Sequence, residues 1–125
     1  MLLLFSISFT QLTAQTLKRK YRGIYTGQIP SYEVKFGQGT NTVSKCDLKV
    51  YISRDSLKLE IGTYSYASGY TFEIAEQDLI LTAPREQSGI PEQFILSPRT
   101  KTILRKGHYP QPDATLIRIG KLPRR

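Results

Sequence analysis

Tryptophan is missing from the 125 residues, and cysteine and histidine occur once each. A lone Cys46 rules out an intramolecular disulfide, and with His108 far away along the chain it offers no ligand cluster for a structural metal. A single histidine also leaves little for acid–base catalysis. His108 lies in Lys106-Gly107-His108-Tyr109-Pro110-Gln111-Pro112-Asp113, and a serine such as Ser97 would have to join His108 and Asp113 in a hydrolytic set. No glycine-flanked nucleophile serine accompanies them, and the two prolines predict an extended, exposed loop. Acidic residues are few, 10 against 18 Lys and Arg, and Glu73/Glu76 and Glu86/Glu92 are spaced as surface charges rather than as paired catalytic carboxylates. Gly37-Gln38-Gly39 is too small for a phosphate loop. These absences argue against an enzyme, a cofactor site and a metal centre.

A hydrophobic run long enough to span a bilayer is also lacking, since about 20 apolar residues are needed. Met1 to Phe9 is apolar apart from two serines, and Leu12-Thr13-Ala14 suits cleavage after Ala14, so residues 1–14 read as an export signal. No Lys or Arg precedes the apolar stretch; the first charge is Lys18. No cysteine lies directly after the cleavage point to carry a lipid anchor. The expected mature protein is residues 15–125, one soluble domain that is exported to the periplasm or beyond, long enough for a single core.

What is present is alternation. Cys46, Leu48, Val50 and Ile52 alternate with Lys45, Asp47, Lys49 and Tyr51, and after Ser53-Arg54-Asp55-Ser56 the pattern resumes with Leu57, Leu59 and Ile61. Period 2 on both sides of a short polar connection predicts an antiparallel hairpin with one apolar face. Further runs are Tyr21 to Gly27, Tyr32 to Phe36, Tyr70 to Ala75, Leu79 to Ala83, Gln93 to Leu96, Thr102 to Leu104 and Thr115 to Ile119. Gly37 to Asn41 reads as a turn, Val43 as the start of the long strand, and Gln77-Asp78 as a two-residue turn. Tyr21, Gly23, Tyr25 and Gly27 share one parity, and glycine within a strand marks a bend or a close backbone approach. No stretch has a helical period of useful length. The expected inward set is Cys46, Leu48, Val50, Ile52, Leu57, Leu59, Ile61, Phe72, Ile74, Leu79, Leu81, Phe94 and Leu96. About eight short strands joined by tight turns must hide their edges, which predicts an all-β, antiparallel up-and-down β-barrel, with a two-sheet β-sandwich as the alternative.

Gly23-Ile24-Tyr25 on the first strand and Arg118 on the last resemble the lipocalin and calycin barrels. There a Gly-x-Trp on the first strand is crossed by an arginine from the last; here Tyr25 stands in place of the Trp. The resemblance implies a barrel whose base is closed by a Tyr25–Arg118 cation–π contact, and an interior able to take a small apolar or aromatic ligand. Ser68-Gly69-Tyr70 and Lys106-Gly107 also resemble the loops of periplasmic lysozyme inhibitors, although a basic protein is electrostatically mismatched to a basic lysozyme.

Charge is distributed unevenly. Residues 18–22 carry four positive charges and no negative one, residues 99–125 carry +7, and residues 23–98 carry −3. In an up-and-down barrel the first and last strands are neighbours, so Lys20, Arg22 and Tyr25 should meet Arg118 and Lys121, with Arg105, Lys106, His108 and Tyr109 bordering them. That would make a site for an acidic macromolecule or anionic surface; the alternative is that Lys18 to Lys20 and Lys121 to Arg125 are solubilising tails. Tyr21, Arg22 and Tyr25 fit a base-stacking platform only loosely, and an exported protein rarely meets nucleic acid. The expectation is a small exported, non-catalytic binding protein for a small apolar or aromatic ligand or an anionic partner. A structural envelope component, an inhibitor- or immunity-type protein and a hydrolytic enzyme are the alternatives.

Overall fold

A computed structural model describes residues 16–85 and 89–123. The expected leader, residues 1–14, lies outside the described residues, as do Glu86, Arg124 and Arg125. Among the described residues no helix is long and apolar enough to cross a membrane. Among the described residues a 3-10 turn, Arg19–Tyr21, precedes eleven strands: β1 Gly23–Ile29, β2 Tyr32–Phe36, β3 Gly39–Val43, β4 Cys46–Ile52, β5 Leu57–Ile61, β6 Tyr64–Ser68, β7 Thr71–Ala75, β8 Asp78–Ala83, β9 Glu92–Ser97, β10 Thr102–Arg105 and β11 Ala114–Gly120.

Nine of these form one antiparallel sheet in the order β6-β5-β4-β1-β11-β10-β9-β8-β7. The sheet curls into a half-barrel, and its edges are joined by the chain itself. β6 and β7 lie at opposite ends of that order, yet only Gly69 and Tyr70 separate them in sequence. All neighbours are antiparallel, so the first and ninth strands run in the same direction, and the chain leaves β5 through β6 and reaches β8 through β7. Counted as one bent strand, β6–β7 completes eight up-and-down staves.

The core follows strand parity. Leu48, Val50 and Ile52 are buried between Asp47, Lys49 and Tyr51, and across the register Val50 meets Tyr25 on one side and Leu59 on the other. Burying each such aliphatic side chain contributes about 1.5–3 kcal/mol. Leu57, Leu59, Leu79, Leu81, Phe94 and Leu96 point inward as expected, joined by Tyr25, Ile29, Ile103 and Leu116. Side chains at or near 0% exposure leave no room for a water beside them, so the middle of the barrel is filled. Ile74 departs from expectation: it holds the inward parity of β7 but is 69% exposed, because β7 is an edge strand ending at the open rim. Cys46, expected deep in the core, is half-buried at the start of β4.

Two segments differ from the sequence reading. The Tyr32–Phe36 run does not join the barrel; it pairs with β3, Tyr32 against Val43 and Phe36 against Gly39, as a separate hairpin inserted between β1 and β4. The expected Gly37-to-Asn41 turn therefore shrinks to Gly37 and Gln38. Between β7 and β8 the turn residues are Glu76 and Gln77, with Ala75 opposite Asp78.

Candidate functional site

The barrel has two chemically different ends. At the first, β1 begins, β4 and β11 finish, and β5 begins, because β1 is antiparallel to both neighbours. Leu17, 1% exposed, inserts into the core here, and the 3-10 turn Arg19–Tyr21 leads from it into β1. The chain at 18–20 is thus folded against the barrel and is not a tail. A groove of about 620 Å³ opens at this end, lined by Arg19, Lys20, Arg22, Gly23, Ser53, Arg54, Arg118, Lys121 and Leu122. Six of the nine are cationic and none is acidic.

Backbone ties position two of these cations. Arg22 donates from Nε to the Leu17 carbonyl at 2.9 Å, and Arg118 donates from Nε to the Arg22 carbonyl at 3.0 Å. Gly23 makes the second tie possible. Its φ of +137° disfavours any side chain, and a Cβ there would sit 2.3 Å from the Gly120 oxygen and 3.1 Å from the Arg118 Nε. Arg54 rides on the β4–β5 connection, where Ser53 Oγ meets both Ser56 Oγ and the Ser56 backbone. The Tyr70 hydroxyl donates to the carbonyls of Ser53 at 2.8 Å and Arg54 at 3.3 Å, clamping the connection from the β6–β7 bend. Burial raises the Tyr70 pKa against the opposing pull of Arg22. The nearest acid, Asp55, reaches Arg54 only at 3.9 Å with both side chains largely in water. Among the described residues no ion pair engages Arg19, Lys20, Arg22, Arg118 or Lys121.

The chain matches no family model, no curated protein and no solved structure. Function therefore has to be argued from this geometry.

Of the residues singled out in the sequence, Lys20, Arg22, Arg118 and Lys121 meet around the groove. Lys20 lies in the 3-10 turn and Arg22 directly before β1, rather than on the strand. Tyr25 does not reach the groove. It is fully buried opposite Arg118 and Val50, its hydroxyl donates to the Tyr21 carbonyl at 2.6 Å, and burial pushes its pKa up to about 12. The Arg118 side chain spends its Nε on the Arg22 carbonyl, and the cation–ring contacts among the described residues are instead Lys20 over Tyr21 at 5.2 Å and Lys58 over Tyr51 at 5.4 Å.

Arg105, Lys106, His108 and Tyr109 lie at the opposite end, because the 106–113 loop enters β11 at its start whereas Lys121 follows its finish. Arg105 is an interior residue. At 1% exposure it grips the fully buried Glu92 through Nε to Oε1 and Nη2 to Oε2, both 3.0 Å. Arg85 adds a third donor to Glu92 at 3.1 Å, and Gln111 accepts from Arg105 Nη1. Glu92, expected on the surface, is thus the buried counter-charge of two guanidiniums. Lys106 pairs with Asp113 at 3.2 Å, and the Gly107 N–H to Asp113 holds that carboxyl below its usual range, helped by Lys106. Tyr109 is 97% exposed, and His108 borders a shallower cleft with Tyr32, Tyr64, Arg85 and Gln111.

Arg19 and Arg54 are the groove cations absent from the expected site. Arg19 stood within the basic cluster Lys18 to Arg22. Arg54 was hidden because the β2–β3 hairpin conceals that β4, not β2, is the neighbour of β1, which brings the far end of β4 to the start of β1.

Proposed function

We propose that this is an exported, non-catalytic binding protein that captures an anionic partner in the groove between the 3-10 turn, the β4–β5 connection and the end of β11. The observation that carries the reading is the lining itself: six cations, no carboxylate, and two of the side chains, Arg22 and Arg118, tied down by backbone carbonyls. Like charges held together cost stability unless a partner neutralises them, so a folded cluster whose one counter-charge is the solvent-exposed Asp55 beside Arg54 favours an acidic ligand. The alternative of an apolar ligand inside the barrel has less support, because the interior side chains fill the space. A resemblance to the lipocalin and calycin barrels remains part of the reading, supported by Tyr25 on β1 standing opposite Arg118 on β11. Export is supported by the apolar opening and the Leu12-Thr13-Ala14 cleavage pattern.

Arg19, Lys20 and Leu122 line the groove, so point reversals make a cleaner experiment than trimming the chain. Arg54→Glu and Lys121→Glu are exposed and carry no core contact. Binding of the whole protein to a sulfated polysaccharide in low salt should weaken about tenfold or more in the double reversal, and steeply in salt for the wild type. Lys35→Glu, on the hairpin, serves as the control. Equal weakening in the control and the groove variants would remove the site from this end of the barrel.

A further inference from the structure

We infer that the ligand of this groove is a tetrahedral oxyanion, a phosphate or sulfate group, gripped by the Arg22 and Arg118 guanidiniums; the inference rests on the anion-binding reading above. Four of the six cations are arginine, and arginine differs from lysine in presenting a planar fork that matches phosphate and sulfate with two parallel N–H bonds. Both forks are set in advance. Each Nε is occupied by a main-chain carbonyl, Leu17 for Arg22 and Arg22 for Arg118. Among the described residues no hydrogen bond engages the Nη groups of either arginine, so those edges stay available to the groove. The chain of ties is rigid at its root, since Leu17 is sunk in the core, and at its floor, since the Arg118 guanidinium lies on Gly23 where a Cβ would come within 3.2 Å of Nη2. Orienting two long side chains before the ligand arrives removes an ordering cost that free arginines would meet on binding.

The lining also excludes other anions. Among the described residues none of those lining the groove is aromatic, so the lining offers no stacking platform of the kind that single-stranded nucleic acid uses. A carboxylate group offers only two oxygens in one plane, so a polycarboxylate such as citrate must spread separate groups over the two forks, whereas one tetrahedral oxyanion presents three oxygens to both forks and the flanking lysines at once. Dense, multiply charged oxyanions suit the whole set.

Calorimetry on the whole protein should use inorganic pyrophosphate as the phosphate probe, a fully sulfated heparin disaccharide as the sulfate probe, and citrate as the carboxylate probe. Either tetrahedral probe should bind about tenfold or more tightly than citrate, and the preferred one names the source of the group. Arg22→Lys and Arg118→Lys keep the charge and lose the fork, so each should weaken the preferred probe about tenfold while leaving citrate nearly unchanged. Lys35→Glu, on the β2–β3 hairpin and outside the groove, should change little. Thermal melting of each variant confirms that it folds, and Arg22→Lys serves if Arg118→Lys does not. If citrate binds as tightly, or both lysine variants bind like wild type while Arg54→Glu with Lys121→Glu still weakens binding, the oxyanion inference fails and the groove stands. If the reversals have no effect either, both fail.

Discussion

Glu92 and Arg105 are the two residues whose environment departs furthest from their chemistry, a carboxylate and a guanidinium inside a β-barrel with 0% and 1% exposure. Two charges leave water at a cost of several kcal/mol each, and only paired geometry with saturated hydrogen bonds offsets it. Both carboxylate oxygens of Glu92 accept from Arg105, and Arg85 and Gln111 satisfy further positions. Glu92→Gln would leave two guanidiniums facing a neutral amide, so it should destabilise the protein by about 3–5 kcal/mol in urea unfolding. Glu92→Leu combined with Arg105→Leu should recover most of that loss; recovery absent, or a Glu92→Gln cost below about 1 kcal/mol, would mean the pair is not the buried unit described. The sequence contained the signal for this pair. Glu92 shares parity with Phe94 and Leu96, and Arg105 with Ile103, all inward. What hides it is that charge normally outweighs parity, and the two rules conflict only where a partner of opposite charge waits on the neighbouring strand.

At the scale of elements, alternation made most strands legible, because a half-buried strand must alternate whatever its neighbours are. Partner choice was less legible. The β2–β3 hairpin alternates as well as any barrel strand, Tyr32, Val34 and Phe36 against Glu33 and Lys35, and nothing local says that it leaves the sheet. The 3-10 turn is too short to produce a period. The glycines of β1 did carry readable information. Gly27 faces β11 so closely that a Cβ would lie 2.3 Å from the Thr115 carbonyl oxygen. Gly27→Ala should therefore force β1 and β11 apart and cost about 1–3 kcal/mol or more, measured as a fall in melting temperature. An unchanged melting temperature would contradict the close approach of these strands, and with it the path by which the chain ends share one rim.

For the whole molecule, the adjacency of the first and last strands turns two distant basic stretches into one surface, and this was deducible from topology alone. The error lay in strand direction. Lys106, His108 and Tyr109 precede β11, and a seven-residue strand places them roughly 23 Å from Lys121. Unpaired cations thus gather at one rim, while at the opposite rim Arg85, Arg105 and Lys106 pair with Glu92 and Asp113. Arg54, missed in the sequence, joins the first rim because antiparallel pairing carries the β4–β5 connection there. The most direct test of this polarity is amide chemical-shift mapping of the isotope-labelled protein titrated with a sulfated polysaccharide in low salt. The account predicts saturable shifts confined to residues 19–23, 53–54 and 118–122, abolished in high salt, with residues 105–113 unmoved. Shifts centred on 105–113, or spread evenly over both rims, would contradict it.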